Sequence, residues 1–77
     1  MKWTDHALRV LIERQIDRKL VEDALKTPDE IVGGKFGRRV YHKLVGRKLL
    51  RVIVEGDVVI TVYMTDKIHK YWKGGKA

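Results

Sequence analysis

The sequence holds no cysteine. That absence removes disulfides, thiolate metal sites and thiol nucleophiles together. A chain without thiols folds equally well under reducing conditions, so a cytoplasmic location is expected. No apolar run reaches the ~18 residues that a bilayer span requires. The opening Met1-Lys2-Trp3-Thr4-Asp5-His6 lacks the apolar stretch of a secretion signal. No membrane partner is expected. Histidine occurs three times, but His6, His42 and His69 fall in separate segments without ligand-type spacing, so neither a metal nor another cofactor is expected. Phosphate-loop, dinucleotide and nucleophile-elbow motifs are missing. Gly33-Gly34-Lys35-Phe36-Gly37 comes nearest, yet it precedes a strand where a phosphate loop needs a helix.

Apolar residues are plentiful by contrast. They make up 44% of 77 residues, and proline occurs once. Such a chain orders itself around one modest core, burying about 60% of the surface its unfolded form exposes. A single domain is expected over 1–77, with a frayed tail at about 74–77. The net charge is +7, and it is unevenly placed. Residues 1–27 carry a net +1, residues 28–56 a net +4 and residues 57–77 a net +2. A basic surface of this kind keeps copies apart or binds a polyanion such as nucleic acid.

The pattern is helical first. Thr4 caps a helix predicted over 5–15, with Ala7, Leu8, Leu11, Ile12 and Ile16 on one side. Val10 is an apolar residue on the otherwise polar side, which suggests that something packs there. Asp17 caps a second helix, with Leu20, Val21, Ala24 and Leu25 inward, and Pro28 stops it near Lys26. The period then changes to two. Strands are predicted at 38–45, Lys48–Glu55 and Val58–Thr65, joined by the tight turns Gly46-Arg47 and Gly56-Asp57. Residues 30–32 form a fourth, short piece. The expected fold is α+β, with two N-terminal helices packed on an antiparallel meander of three to four strands. Leu50, Val52 and Val54, with Val58, Ile60, Val62 and Met64, should lie under the helices. Arg39, Tyr41, Lys43, Arg51, Thr61 and Tyr63 should form the opposite, mixed face. His42 has core-face parity and reads as a satisfied core or edge histidine.

Three groups of residues could carry chemistry. His6, Arg9 and Glu13 share one stripe of the first helix, and imidazole, guanidinium and carboxylate together suit proton transfer beside a phosphate. Equally, Arg9 and Glu13 are an ordinary i,i+4 ion pair. On the mixed face, Lys43 and Arg51 stand with Tyr41 and Tyr63, a pairing of cations and rings that suits single-stranded RNA. A solvated sheet face has the same composition. The segment Lys67-Ile68-His69-Lys70-Tyr71-Trp72-Lys73 interleaves cations with aromatics, or closes the core with Ile68, Tyr71 and Trp72.

His6-Ala7-Leu8-Arg9 with Glu13-Arg14-Gln15-Ile16 resembles the opening of the domain-of-unknown-function family numbered 4258. Val21-Glu22-Asp23-Ala24-Leu25 before Pro28 looks like its second helix. Leu50-Arg51-Val52-Ile53-Val54, Val59-Ile60-Thr61-Val62-Tyr63 and Lys67-Ile68-His69-Lys70-Tyr71-Trp72 look like its strands and closing segment. Asp66 departs from the pattern, standing where many relatives have Ser. The family is similar to the small toxin fold of the RelE and barnase types, which implies an RNA-cleaving or RNA-binding ancestor. On that reading His6 or Glu13 is the acid or base, and Arg9, Arg14 and Arg51 hold phosphate. Tyr41 and Tyr63 position bases, with Lys43 and Lys70 as further contacts. The expected function is a toxin-like, metal-independent endoribonuclease or RNA-binding descendant of one. The alternative is a non-catalytic module that binds nucleic acid, an acidic antitoxin-like protein or its own copy as a homodimer.

Overall fold

The structure, a computed structural model, describes residues 1–74 of the chain. Most of the expected tail, 75–77, lies outside the described residues. Helix α1 is Asp5–Glu13. The Thr4 hydroxyl accepts the Ala7 N–H at 3.0 Å and donates to the Ile60 carbonyl at 3.0 Å, so one cap both starts the helix and ties it to the sheet. The helix stops short of residue 15 because Gln15 takes a left-handed φ of 54°. Its N–H reaches the Ile12 carbonyl and the Ile16 N–H reaches the Leu11 carbonyl, the paired bonds of a Schellman ending. Helix α2 is Arg18–Lys26, capped by Asp17 through the Lys19 N–H at 2.9 Å and ended before Pro28, as the pattern predicts.

Five strands follow the sequence as β1 (Lys2–Trp3), β2 (Glu30–Gly33), β3 (Arg39–Val45), β4 (Lys48–Glu55) and β5 (Val58–Thr65). They stand in the order β1-β5-β4-β3-β2. The expectation of an antiparallel sheet of three to four strands is therefore corrected to a mixed sheet of five. The added strand, β1, pairs parallel with β5. Two residues are too few to show a period of two, and their pairing partner lies at the far end of the chain. β1 and β2 occupy opposite edges, so α1 and α2 must cross the sheet between them. They do so on one face, and the meander β2 to β5 then walks back to β1. A 3-10 turn, Lys35–Gly37, interrupts the β2–β3 loop, and a short helix, α3 (Ile68–Tyr71), follows β5.

The core lies between helices and sheet. It joins Ala7, Leu11, Ile16, Val21 and Ala24 to Leu50, Val52, Val54, Val59 and Val62. Leu50, Val52 and Val54 face inward as predicted. Val58 and Ile60 do not hold the inward positions predicted for them. The register shifts between Ile53 and Val54, where Val54 opposes Val59 while Ile53 opposes Thr61, leaving Ile60 as an extra residue. Val59 and Val62 consequently share the buried face. Helix α1 is rotated from its predicted facing, with Ala7, Val10 and Leu11 buried and Ile12 80% exposed. Val10 on the polar stripe is indeed covered.

The predicted mixed face is split between the two sides of the sheet. Tyr41 opposes Val52 and Lys43 opposes Leu50, so both lie on the helix side. Tyr41 packs against the core, and Lys43 Nζ donates to the Thr27 carbonyl at 2.9 Å, at the end of α2. Cross-strand partners share a face, and an apolar residue set opposite Tyr41 and Lys43 draws them to its own side.

Candidate nucleic-acid interface

The face turned away from α1 and α2 carries a row of side chains that crosses four strands. Glu30 of β2 opposes His42 of β3, His42 opposes Arg51 of β4, and Arg51 opposes Tyr63 of β5. Alternation puts all four on one side at one level, so each touches the next. His42 Nδ1 lies 2.7 Å from Glu30 Oε2, and Arg51 Nε lies 3.1 Å from His42 Nε2. An Nη of Arg51 donates to the Tyr63 hydroxyl.

These contacts settle the protonation of the row. A guanidinium only donates, so His42 Nε2 must accept. The ring is then neutral, with its one proton on Nδ1, which donates to Glu30. Burial agrees: His42 is fully enclosed, and desolvation holds its pKa below the ordinary 6.5, against the raising effect of the Glu30 hydrogen bond. Arg51 is thus held at both ends of its planar group.

The segment after β5 folds back across this row. Trp72 stands 6.3 Å from the His42 ring, and the Lys73 N–H donates to Glu30 at 3.0 Å. The Arg51 guanidinium lies 3.9 Å from the centre of the Tyr71 ring, which meets the Tyr63 ring edge-on at 6.2 Å. Burial raises the Tyr63 phenol above 10.0, while the Tyr63 hydrogen bond lowers Tyr71, with Lys70 and Arg51 adding to the effect. The two phenols are therefore shifted in opposite directions, Tyr63 up and Tyr71 down.

A cleft of about 630 Å³ opens beside the row. Its described lining includes the cations Lys35, Arg38, Arg51, Lys70 and Lys73 and the rings of Phe36, Tyr63 and Tyr71, with no carboxylate among them. Such a site offers opposite charge and stacking surface to an anionic, aromatic ligand.

The predicted site residues are distributed unevenly around it. Arg51, Tyr63 and Lys70 line the cleft. Tyr41 and Lys43 are on the other side of the sheet, and Arg14 caps the end of α1 beside Gln15 and Lys48. His6 reaches around the edge of β5, its Nε2 lying 3.1 Å from Thr61 Oγ1, and Thr61 is a cleft residue. Arg9 and Glu13 are exposed on α1 and are not among the described cleft residues. No ion pair joins them among the described residues; the i,i+4 pair forms on α2, between Arg18 and Glu22 at 3.4 Å.

Glu30 and His42 belong to the arrangement but were not predicted as site residues, while Tyr71 and Lys73 stood only within the cationic and aromatic segment 67–73. One signal was available for His42. A two-residue turn that sets Val45 opposite Lys48 necessarily sets His42 opposite Arg51. No groups of three or more metal-ligating side chains occur among the described residues, and no helix there is long and apolar enough to cross a membrane.

Fold and cleft together define a small α+β domain that presents a basic, aromatic cleft on the open face of its sheet. The family model described as a domain of unknown function, DUF4258, matches residues 3–64, and the chain belongs to that family. The matched span includes Glu30, His42, Arg51 and Tyr63 and ends before α3. Neither the curated proteins nor the solved structures compared with the chain contain a match.

Proposed function

We propose that the chain binds single-stranded RNA in this cleft and cleaves it, as a toxin-like endoribonuclease of the cytoplasm. The observation that carries the reading is Arg51, a cation clamped between His42 and Tyr63 and faced by the ring of Tyr71, in a cleft whose described lining has no carboxylate. The order of helices before an antiparallel meander, which the RelE and barnase types share, supports it by analogy alone.

The chemistry needs only groups that line the cleft. In its phenolate form Tyr71 takes the proton of an RNA 2′-hydroxyl, and that oxygen bonds to the adjacent phosphorus. The bond from phosphorus to the 5′-oxygen breaks, and Lys70 protonates the departing oxygen. The products are a 2′,3′-cyclic phosphate and a 5′-hydroxyl. Arg51 stabilises the charge added to the phosphoryl oxygens, as a preorganised donor should. Glu30 and His42 do not touch the substrate; they are positioning residues. Glu30 orients Arg51 through His42, and it ties down the tail that carries Tyr71 through the Lys73 N–H. Acid–base work expected of His6, Arg9 and Glu13 passes to Tyr71 and Lys70.

The test is an RNA cleavage and binding assay. Arg51→Ala should lose both activities, and Arg51→Lys should not restore them, because an ammonium cannot span His42 and Tyr63 together. Tyr71→Phe should still bind but cleave about 10²- to 10⁴-fold more slowly. Wild-type protein that binds no RNA at low salt would refute the proposal. A second reading, an acidic antitoxin-like protein pairing with the chain, rests on β2, which is an edge strand with Ile31 47% exposed. A stable complex in which cross-links map to β2 and RNA binding is absent would favour it.

A further inference from the structure

A second row runs beside the first on the open face. Val32 opposes Val40, Val40 opposes Ile53, and Ile53 opposes Thr61. Each lies two residues along its strand from a member of the Glu30–His42–Arg51–Tyr63 row, so the two rows are about 7 Å apart. One is charged and hydrogen-bonded; the other is apolar up to Thr61, and all four of its residues line the cleft.

The β2–β3 loop folds over one end of this apolar row. Its Gly34 N–H donates to the Arg38 carbonyl at 2.7 Å, and a side chain at Gly34 would meet Val40 at 3.2 Å and that carbonyl at 3.3 Å. The loop is therefore closed tightly on Val40. At its tip Phe36 is 86% exposed and takes φ 60°, ψ 30°, a left-handed conformation that is uncommon for an aromatic residue. An exposed ring gains nothing from water, and this backbone costs rather than stabilises. Arg38 stands next to it, its guanidinium 5.8 Å from the ring and its Nε held by Glu55 at 2.8 Å. At the opposite end, the Thr61 hydroxyl is held by His6.

We infer that the apolar surface of Val32 and Ile53, which flank the buried Val40 and are walled by Phe36, is a subsite for one unpaired nucleobase, with Lys35 and Arg38 taking the phosphate beyond it. This rests on the RNA reading above and narrows its substrate. Arg51 holds one phosphate and Arg38 another, so the ligand is a strand of at least two nucleotides. It is single-stranded, because a base stacked inside a duplex cannot lie against Val32 and Ile53. Charge complementarity selects the occupant: Lys35, Lys70 and Lys73 line the cleft with no carboxylate in its described lining, which suits an anionic strand and not a neutral apolar ligand.

Two 2′-O-methyl strands of about six nucleotides test this, one with bases and one abasic with the same phosphates. Neither can be cleaved, so binding is read alone. Wild-type protein should prefer the strand with bases by about 5- to 100-fold. Phe36→Ala should lose that preference and leave the abasic affinity and the salt dependence unchanged, while Phe36→Trp should keep it. A full preference in Phe36→Ala would overturn the subsite while leaving the RNA reading intact, provided Arg51→Ala still abolishes binding. Wild-type protein that binds neither strand would overturn the RNA reading and the subsite together.

Discussion

Acid should destabilise this protein through one buried ring. His42 is neutral in the folded chain, because its Nε2 accepts from Arg51 and burial disfavours the charged form. In the unfolded chain it titrates near the ordinary 6.5. Below that value the unfolded state binds a proton that the folded state refuses. Stability therefore falls as pH falls through 6.5, and it levels off only below the depressed folded value. One proton sets a ceiling of about 1.4 kcal/mol per pH unit, and of about 2 kcal/mol between pH 7 and pH 5. In a domain of this size that is a fall in Tm of roughly 10 °C. Urea unfolding followed by circular dichroism at several pH values would measure it. His42→Gln is the matching variant, since its amide can accept from Arg51 and donate to Glu30 but cannot titrate. Its stability should be flatter over this range. Parallel pH profiles for the variant and the wild type would refute the reasoning.

Other changes separate the site from the scaffold. Lys43→Ala removes the contact at the end of α2 and should cost about 1 kcal/mol or less in urea unfolding, with RNA affinity unchanged, since Lys43 is on the helix side of the sheet. Leu50→Ala opens a void in the fully buried core and should cost about 2–5 kcal/mol by the same measurement. His6→Ala, Arg9→Ala and Glu13→Ala should each leave the cleavage rate within about threefold of wild type, because none of these residues touches Arg51 or Tyr71; a loss of 100-fold or more in any of them would return the acid–base role to α1.

Single residues explain what the sequence could and could not show. Thr4, Asp17 and Pro28 act locally, and each produced the helix start or stop that its chemistry predicts. Gly46 and Gly56 take the positive φ of 61° and 60° that tight turns require, so the meander was legible. Strand facing was not. β5 is apolar almost throughout, so parity could not place its inward side, and the extra residue at Ile60 decided it. That bulge sets Tyr63, rather than Val62, opposite Arg51. Without it the network of phenol, guanidinium and imidazole would be broken at β4.

The site shows the same division. Alone, the sequence determined an α+β chain with two amphipathic helices ahead of a meander, and a positive charge concentrated after residue 27. Those properties depend on neighbours a few residues apart. Tertiary structure decided that Tyr41 and Lys43 serve the helix side, and that Glu30 and His42 serve the cleft. It also brought Tyr71 onto Arg51, residues twenty apart in sequence. Those outcomes depend on register across strands and on where the chain returns after β5, and the alternation of residues within a single strand does not encode either.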